Sequence, residues 1–148
     1  MARRSIIVPG LTHGSSPIPT ASLVGTLLVS GSVSGVDRAT GKVPQTLAAQ
    51  VRNAFANVGA VLAAAGGSFD DAVKLTFTVP DRAFRAEIDP VWRETFPDPD
   101  SRPARHVVVY RDLPEGLLLQ CEVIAHIAPV SQRLSVNAPS RSRDQGSP

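Results

Sequence analysis

The sequence predicts one α+β domain in which two amphipathic helices pack on one face of a mixed β-sheet. Two observations predict this class. Some segments carry apolar residues at every second position, and two others carry them every three or four positions. Their order along the chain is β-β-α-β-α-β-β, and helices of that number cover a sheet on one side only. We place the domain in residues 1–128 and expect residues 129–148, which are rich in Ser, Arg and Pro, to form a disordered polar tail.

The first strands are short. Residues 5–8 form an apolar run that Pro9 ends. After a loop with two prolines, residues 23–24 and 26–30 read as two strands that could be continuous. Asp37 and Gly41 then predict a turn or a wide hairpin loop.

The first helix begins after Pro44. Its apolar side chains recur at spacings of three and four residues and form one stripe: Leu47, Val51, Phe55, Val58 and Leu62. Gly66 and Gly67 end the helix, because glycine readily adopts the left-handed conformation of a helix C-cap. A half-buried strand follows over residues 73–79, where apolar residues alternate with Lys and Thr.

The second helix covers residues 82–96 and contains a proline. We expect a break at Pro90, because proline inside a helix removes a hydrogen bond. Asp89 would then be the N-cap of a new first turn.

The last two strands, residues 105–111 and 117–127, flank a short turn and predict an antiparallel hairpin. A register in which paired numbers sum to about 228 places Arg105 near Val123. Both strands contribute apolar residues to both faces of the sheet. Two helices cover one face, so we expect the other face to contact a second subunit.

Composition excludes several classes of function. The net charge is +2 and part of the arginine excess lies in the tail, which disfavours a nucleic-acid surface. A single cysteine, Cys121, allows neither an intrachain disulfide nor a CxxC metal site, and the three histidines have no metal-ligand spacing, so we expect no metal. The apolar runs are too short for a membrane span or a signal peptide, which predicts a cytoplasmic protein.

Arg105 is the main candidate for chemistry, because it opens a valine-rich strand. A buried guanidinium needs a partner, and its planar fork matches a substrate carboxylate. The alternative is a structural ion pair with Glu122 or Asp89. His13 and His106 are further candidates as general bases, although alternation along the strand directs His106 away from Arg105.

Three segments together resemble the RidA (YjgF-like) family of reactive-intermediate deaminases. They are LLVSGSVSGVDRATGKV, LAAQVRNAFANVGAVLAAAGGSFDDAVKLTFTV and RPARHVVVYRDLPEGLLLQCEVIAHI, and the resemblance covers about Leu23 to Ile127. It implies a chorismate-mutase-like fold, assembly as a homotrimer with sites in clefts between subunits, and hydrolysis of imines and enamines to 2-keto acids and ammonia without a cofactor.

The resemblance also assigns site residues. Arg105 corresponds to the family arginine that holds the substrate carboxylate, and Ser30 and Gly31 correspond to a family Ser-Gly pair. We identify five further positions. Asp89 stands where the family has Asn, Val107 where many members have Cys, and Ile18 or Pro17 where many have Tyr. Gln120 replaces the glutamate thought to position the attacking water, and Glu122 is its possible substitute.

Two other functions remain open beside hydrolysis. Loss of the water-positioning carboxylate and a drier pocket would suit an enzyme that guides condensation, cyclisation or tautomerisation of a reactive imine. Some relatives are described as endoribonucleases or ligand-binding regulators. The near-neutral domain and the few aromatic residues make a nucleic-acid partner the weaker hypothesis.

Overall fold

The computed structural model describes residues 1–136, of which residues 134–136 are described by their backbone alone, and it has the predicted α+β architecture. The strands are β1 (Arg3–Ile6), β2 (Ala21–Val24), β3 (Leu27–Ser30), β4 (Val33–Ser34), β5 (Ala72–Val79), β6 (Ala104–Val109) and β7 (Gln120–His126). The helices are α1 (Leu47–Ala64), α2 (Arg85–Thr95) and α3 (Val130–Val136). None of these helices is long and apolar enough to cross a membrane.

All seven strands belong to one mixed sheet in the order β1-β2-β3-β7-β5-β6, with the short β4 paired beside β3 on β7. The sequence allowed β2 and β3 to be one continuous strand, but they are two strands that form a hairpin. Its turn contains Gly25 at a φ of +58°, a conformation that glycine adopts without steric cost.

The predicted hairpin between the last two strands is wrong. Strand β6 pairs in parallel with β5, and β7 pairs antiparallel with the other side of β5. The segment containing α2 carries the chain across the sheet, as a parallel connection requires. The predicted pairing of Arg105 with Val123 is therefore absent, because Leu75 of β5 lies between them and pairs with both.

The predicted break at Pro90 is also wrong. Helix α2 continues through Pro90, and its first turn is preceded by a 3₁₀ turn over Arg82–Phe84 that Asp81 caps. Pro90 has no N–H group to donate to the carbonyl of Ala86, four residues earlier. Both residues are exposed, so water can donate to that carbonyl instead. Asp89 is therefore an interior residue of α2 and is free for another contact.

The core lies between the sheet and helices α1 and α2. Phe77 of β5 stacks on Phe55 of α1 at 5.6 Å and meets Trp92 of α2 edge-on at 6.4 Å. Both helices thus pack on the same face of the sheet, as predicted. Apolar side chains are exposed on the opposite face, which we call the open face: Val24, Leu27, Val29, Val108 and Ile124.

The first part of the predicted tail is helical. Residues 130–136 form α3 instead of a disordered segment, and Arg133 fastens this helix to the domain. Its guanidinium lies 3.0 Å from Asp71 Oδ2 and donates to the carbonyl of Ala128. The rest of the predicted tail, residues 137–148, lies outside the described residues.

Candidate active site

Arg105 is the second residue of β6, and its side chain lies on the helix side of the sheet. Its Nη2 atom is 2.8 Å from Asp89 Oδ1, and its guanidinium carbon is 5.1 Å from the centre of the Trp92 ring. Asp89 and Trp92 are three residues apart and share one face of α2. Of the two ion pairs that the sequence left open, the structure contains the one with Asp89.

This arrangement leaves part of the guanidinium available. Asp89 Oδ1 lies beside Nη2, and within the described residues Nη1 and Nε of Arg105 make no hydrogen bond. The side chain is about one quarter exposed. A planar guanidinium that is held over an indole ring by an attraction of about 1 kcal/mol keeps its remaining N–H groups in a fixed direction. The arrangement can therefore bind a second carboxylate.

Arg105 lines a cleft of about 440 Å³ at the outer edge of the sheet, together with Arg82, Arg85 and Asp89. Trp92, Arg82 and Arg85 are not among the predicted site residues. A signal was nevertheless present, because Arg82, Arg85 and Asp89 follow one another at i, i+3 and i+7, the spacing of one helical face.

Val107 lies two residues beyond Arg105 on the same side of β6. It pairs with Phe77 and is packed against the core. A valine here contributes apolar contacts and offers no nucleophile beside Arg105.

Gln120 lies at the start of β7, on the opposite side of the sheet from Arg105. Alternation places it on the open face, and it pairs with Thr78 of β5 and Ser34 of β4. Its side-chain amide makes no hydrogen bond within the described residues, so it can bind water. Glu122 follows on the same face and is exposed, opposite Thr76.

Gln120 lines a cleft of about 500 Å³ whose other walls come from the loop after β1, the segment around β4 and the loop before β7. His13 also lines it. The Nε2 atom of His13 is enclosed and has no hydrogen-bond partner among the described residues. It lies 3.5 Å from the position that a Cβ of Gly31 would occupy.

Ser30 and Gly31 lie at the end of β3 and are engaged by the backbone. The Ser30 hydroxyl donates to the carbonyl of Gly31 and accepts from the N–H of Val123. The Gly31 N–H donates to Thr20 O at 2.9 Å, so it is not free to bind an anion. Ile18 is exposed in the loop before β2.

The predicted site residues thus fall into two groups within one chain. Arg105, Asp89 and Val107 lie at the β6 edge, Ser30 and Gly31 lie at the end of β3, Ile18 lies in the loop before β2, and Gln120 lies on β7. At ordinary strand spacing β3 is roughly 14 Å and β7 roughly 10 Å from β6, and Gln120 is directed to the opposite face from Arg105. A single chain therefore does not bring Arg105 and Gln120 onto one small substrate.

Cys121 is not a nucleophile in this arrangement. Burial raises the pKa of its thiol far above the usual range, and the nearby charge of Glu122 adds to the effect. Within residues 1–136, no cluster of three or more His, Cys, Asp or Glu side chains could hold a metal ion.

The chain is similar to proteins of known families along most of its length. A family model described as Endoribonuclease L-PSP matches residues 20–127. A 2-iminobutanoate/2-iminopropanoate deaminase from Bos taurus is 33% identical over 133 residues, which cover 88% of this chain and 95% of that protein. The protein of the same name from Escherichia coli K12 is 32% identical over 103 residues, or 69% of this chain and 80% of that protein. The crystal structure of RidA from an Antarctic Psychrobacter species superposes with a TM-score of 0.76 at 27% identity and covers 84% of this chain and 99% of that one.

Proposed function

Since the chain belongs to the endoribonuclease L-PSP family, which includes RidA (YjgF) proteins, we propose that it hydrolyses small 2-imino and 2-enamino acids to 2-keto acids and ammonia. The observation that carries the proposal is the guanidinium of Arg105. It is fixed between Asp89 and Trp92 at the mouth of a cleft, with N–H groups unused by the described residues.

The proposed reaction needs a bound carboxylate and a positioned water. Arg105 binds the carboxylate of the substrate and holds the adjacent C=N carbon in place. Water adds to that carbon, and the electrons of the C=N bond move to nitrogen. A proton then passes from the added oxygen to nitrogen, the C–N bond breaks as the oxygen forms C=O, ammonia leaves, and the remaining hydroxyl proton goes to solvent to give the 2-keto acid. An enamine first takes a proton from solvent at C3, which converts it to the imine.

Gln120 would orient the water through its side-chain carbonyl oxygen, which accepts a hydrogen bond from it. An amide cannot take up the proton as a carboxylate does. In this proposal, a substrate nitrogen that is already protonated makes the carbon electrophilic enough for a positioned water. Ser30 and Gly31 then act indirectly, by fixing the end of β3 next to His13 of the Gln120 cleft, because their polar groups are bonded to the backbone.

The separation of Arg105 from Gln120 supports a site shared between subunits. We propose a homotrimer in which the β6 edge of one subunit meets the Gln120 cleft of the next. The open face, with exposed Leu27, Val29 and Ile124, would supply the apolar contact. Ile18 and Glu122 would then lie near the shared cleft, and Glu122 remains a second candidate for handling water.

The test is ammonia release from 2-iminobutanoate generated in place by an amino-acid oxidase. Arg105→Lys keeps the positive charge but loses the planar guanidinium that binds a carboxylate through two parallel hydrogen bonds. We therefore expect kcat/KM to fall by about tenfold or more. Arg93→Lys, on the far turn of α2 and exposed, is the matched control and should leave the rate unchanged.

Two results would contradict the proposal. If the wild-type protein does not accelerate ammonia release, or if Arg105→Lys retains the full rate, the assignment of Arg105 as the carboxylate-binding residue of a deaminase is wrong. Products should also be identified. A product that retains the nitrogen would point to condensation or cyclisation, for which Gln120 in place of a carboxylate is the supporting observation.

A further inference from the structure

The cleft beside Arg105 carries more positive charge than one carboxylate requires. Its side chains are Arg82, Ala83, Arg85, Ala86, Asp89 and Arg105. The cleft thus contains three arginines and one aspartate, and that aspartate already contacts Arg105. A monocarboxylate bound to Arg105 would therefore leave two cationic side chains in the same cleft without an anion.

Arg82 and Arg85 have no carboxylate partner of their own. In the described part of the chain, the three ion pairs involve Arg52, Arg105 and Arg133. The nearest candidate in sequence, Asp81, uses Oδ1 to cap the 3₁₀ turn by accepting from the N–H of Ala83.

Local structure does not explain these two arginines either. Both are exposed and contribute nothing to the core. They begin the 3₁₀ turn and α2, where the helix dipole favours acidic side chains and opposes basic ones. Two cations at this end therefore raise the positive potential of the cleft without stabilising the helix.

The positions of the arginines fit a second contact on the same ligand. Arg82, Arg85 and Asp89 are spaced i, i+3 and i+7, which places them on one face of a helical segment. Asp89 contacts Arg105, so that face is directed toward Arg105. A cleft of about 440 Å³ has room for a small organic acid.

We propose that Arg82 and Arg85 form a second anion subsite, which selects 2-imino or 2-enamino acids whose side chain ends in another carboxylate. This inference rests on the proposed function and names its substrate class. Arg105 binds the carboxylate next to the imine, and the arginines on the helix bind the distal one through charge-assisted hydrogen bonds.

The test compares 2-iminoglutarate with 2-iminobutanoate, each generated in place by an amino-acid oxidase. The wild-type protein should have the higher kcat/KM for the diacid. Arg82→Gln and Arg85→Gln should each lower that value by about tenfold and leave the value for the monoacid within about twofold. Arg93 lies at the other end of α2 and lines neither the Arg105 cleft nor the Gln120 cleft. Arg93→Gln removes the same charge and should change kcat/KM for neither substrate.

Calorimetric binding of the products, 2-oxoglutarate and 2-oxobutanoate, separates this inference from the proposed function. Tighter binding of 2-oxoglutarate that is lost in Arg82→Gln and Arg85→Gln supports the subsite even if neither imine is hydrolysed. Hydrolysis of both imines with the same ratio in all variants overturns the subsite and leaves the proposed function standing. Light scattering should show the same assembly for every variant, and a variant that dissociates marks its arginine as a subunit contact and overturns the subsite.

Discussion

At the scale of single residues, the candidate site combines an engaged arginine with an amide in place of a carboxylate. Asp89 would compete with a substrate for one end of Arg105, because both are anions and Nη2 is already 2.8 Å from Oδ1. Gln120 has the opposite character. Its amide makes no hydrogen bond within the described residues, so it can orient water. An amide cannot accept a proton, so Gln120 cannot act as a general base.

Gln120→Glu should therefore raise the deaminase rate. A carboxylate at this position can take the proton from attacking water, and we expect kcat/KM for 2-iminobutanoate to rise by about tenfold. The pH profile should gain an acidic limb, because the new carboxylate acts only when ionised. Gln45→Glu places the same charge in the exposed loop before α1 and should change neither rate nor profile. An unchanged rate in Gln120→Glu would mean that water is handled elsewhere in the cleft.

At the scale of elements, α1 and α2 contact each other through the buried core and also through an exposed ion pair on their solvent side. Arg52 Nη1 and Nη2 donate to Glu94 Oε2 and Oε1 at 3.1 and 3.2 Å. The hydrogen bonds from Arg52, and then its charge, lower the pKa of Glu94. Such an exposed pair contributes modestly and is weakened by salt.

The pair predicts a small dependence of stability on pH. Because the folded pKa of Glu94 lies below its unfolded value, the contribution is present above the unfolded pKa and is lost as pH falls through the folded pKa. Glu94→Gln should lower the urea midpoint slightly at pH 7, and the difference from wild type should vanish in acid. Glu87→Gln, an exposed carboxylate of α2 without an ion pair among the described residues, is the control. A difference that persists at pH 2 would show that packing of residue 94, and not its charge, joins the helices.

Local patterns in the sequence predicted α1, α2 and most of the strands, but neither β4 and α3 nor how the strands pair. The stripe from Leu47 to Leu62 correctly predicted α1, because period and caps are local properties. The position of β6 beside β5 depends on a crossover through α2, which no local pattern records, so the hairpin prediction failed.

The burial of polar residues on α1 could not be predicted from a local pattern either. Gln50 and Asn57 lie off the apolar stripe yet are buried, where their amides bond the loops around residues 34–36 and 116–118.

The same distinction applies to the candidate site. Arg105 and Gln120 could be named from motifs, and the Asp89 ion pair was one of two alternatives. Trp92 under the guanidinium and the arginines of the adjoining cleft required the three-dimensional packing of α2 against β6. The predicted register already put Arg105 and Gln120 on opposite sides of the sheet, but not the strand β5 that lies between their strands.

At the scale of the whole molecule, the open face and the divided site lead to the same expectation. One face of the sheet is covered by α1 and α2, and the other exposes apolar side chains from four strands: Val24, Leu27, Val29, Ile124 and Val108. Val24, Leu27, Val29 and Ile124 are neighbours on three adjacent strands, whereas polar side chains of β5 separate Val108 from them. An exposed apolar cluster such as the first four is usually covered by another protein chain. In the proposed homotrimer, a neighbouring copy would also bring a Gln120 to the Arg105 of the first subunit.

A charge at the centre of the open face should therefore separate the subunits. Val29 is 44% exposed in the single chain and lies between Ser22 and Ile124 on neighbouring strands. Burying a lysine there without a partner is costly, so Val29→Lys should shift the proposed trimer to a monomer in light scattering. Val130→Lys makes the same substitution on α3, where the side chain is 71% exposed, and should leave the trimer intact. Circular dichroism should confirm that both variants are folded. If Val29→Lys remains trimeric, the open face is not the contact surface. If it becomes a folded monomer that keeps full deaminase activity, the site does not need a second subunit.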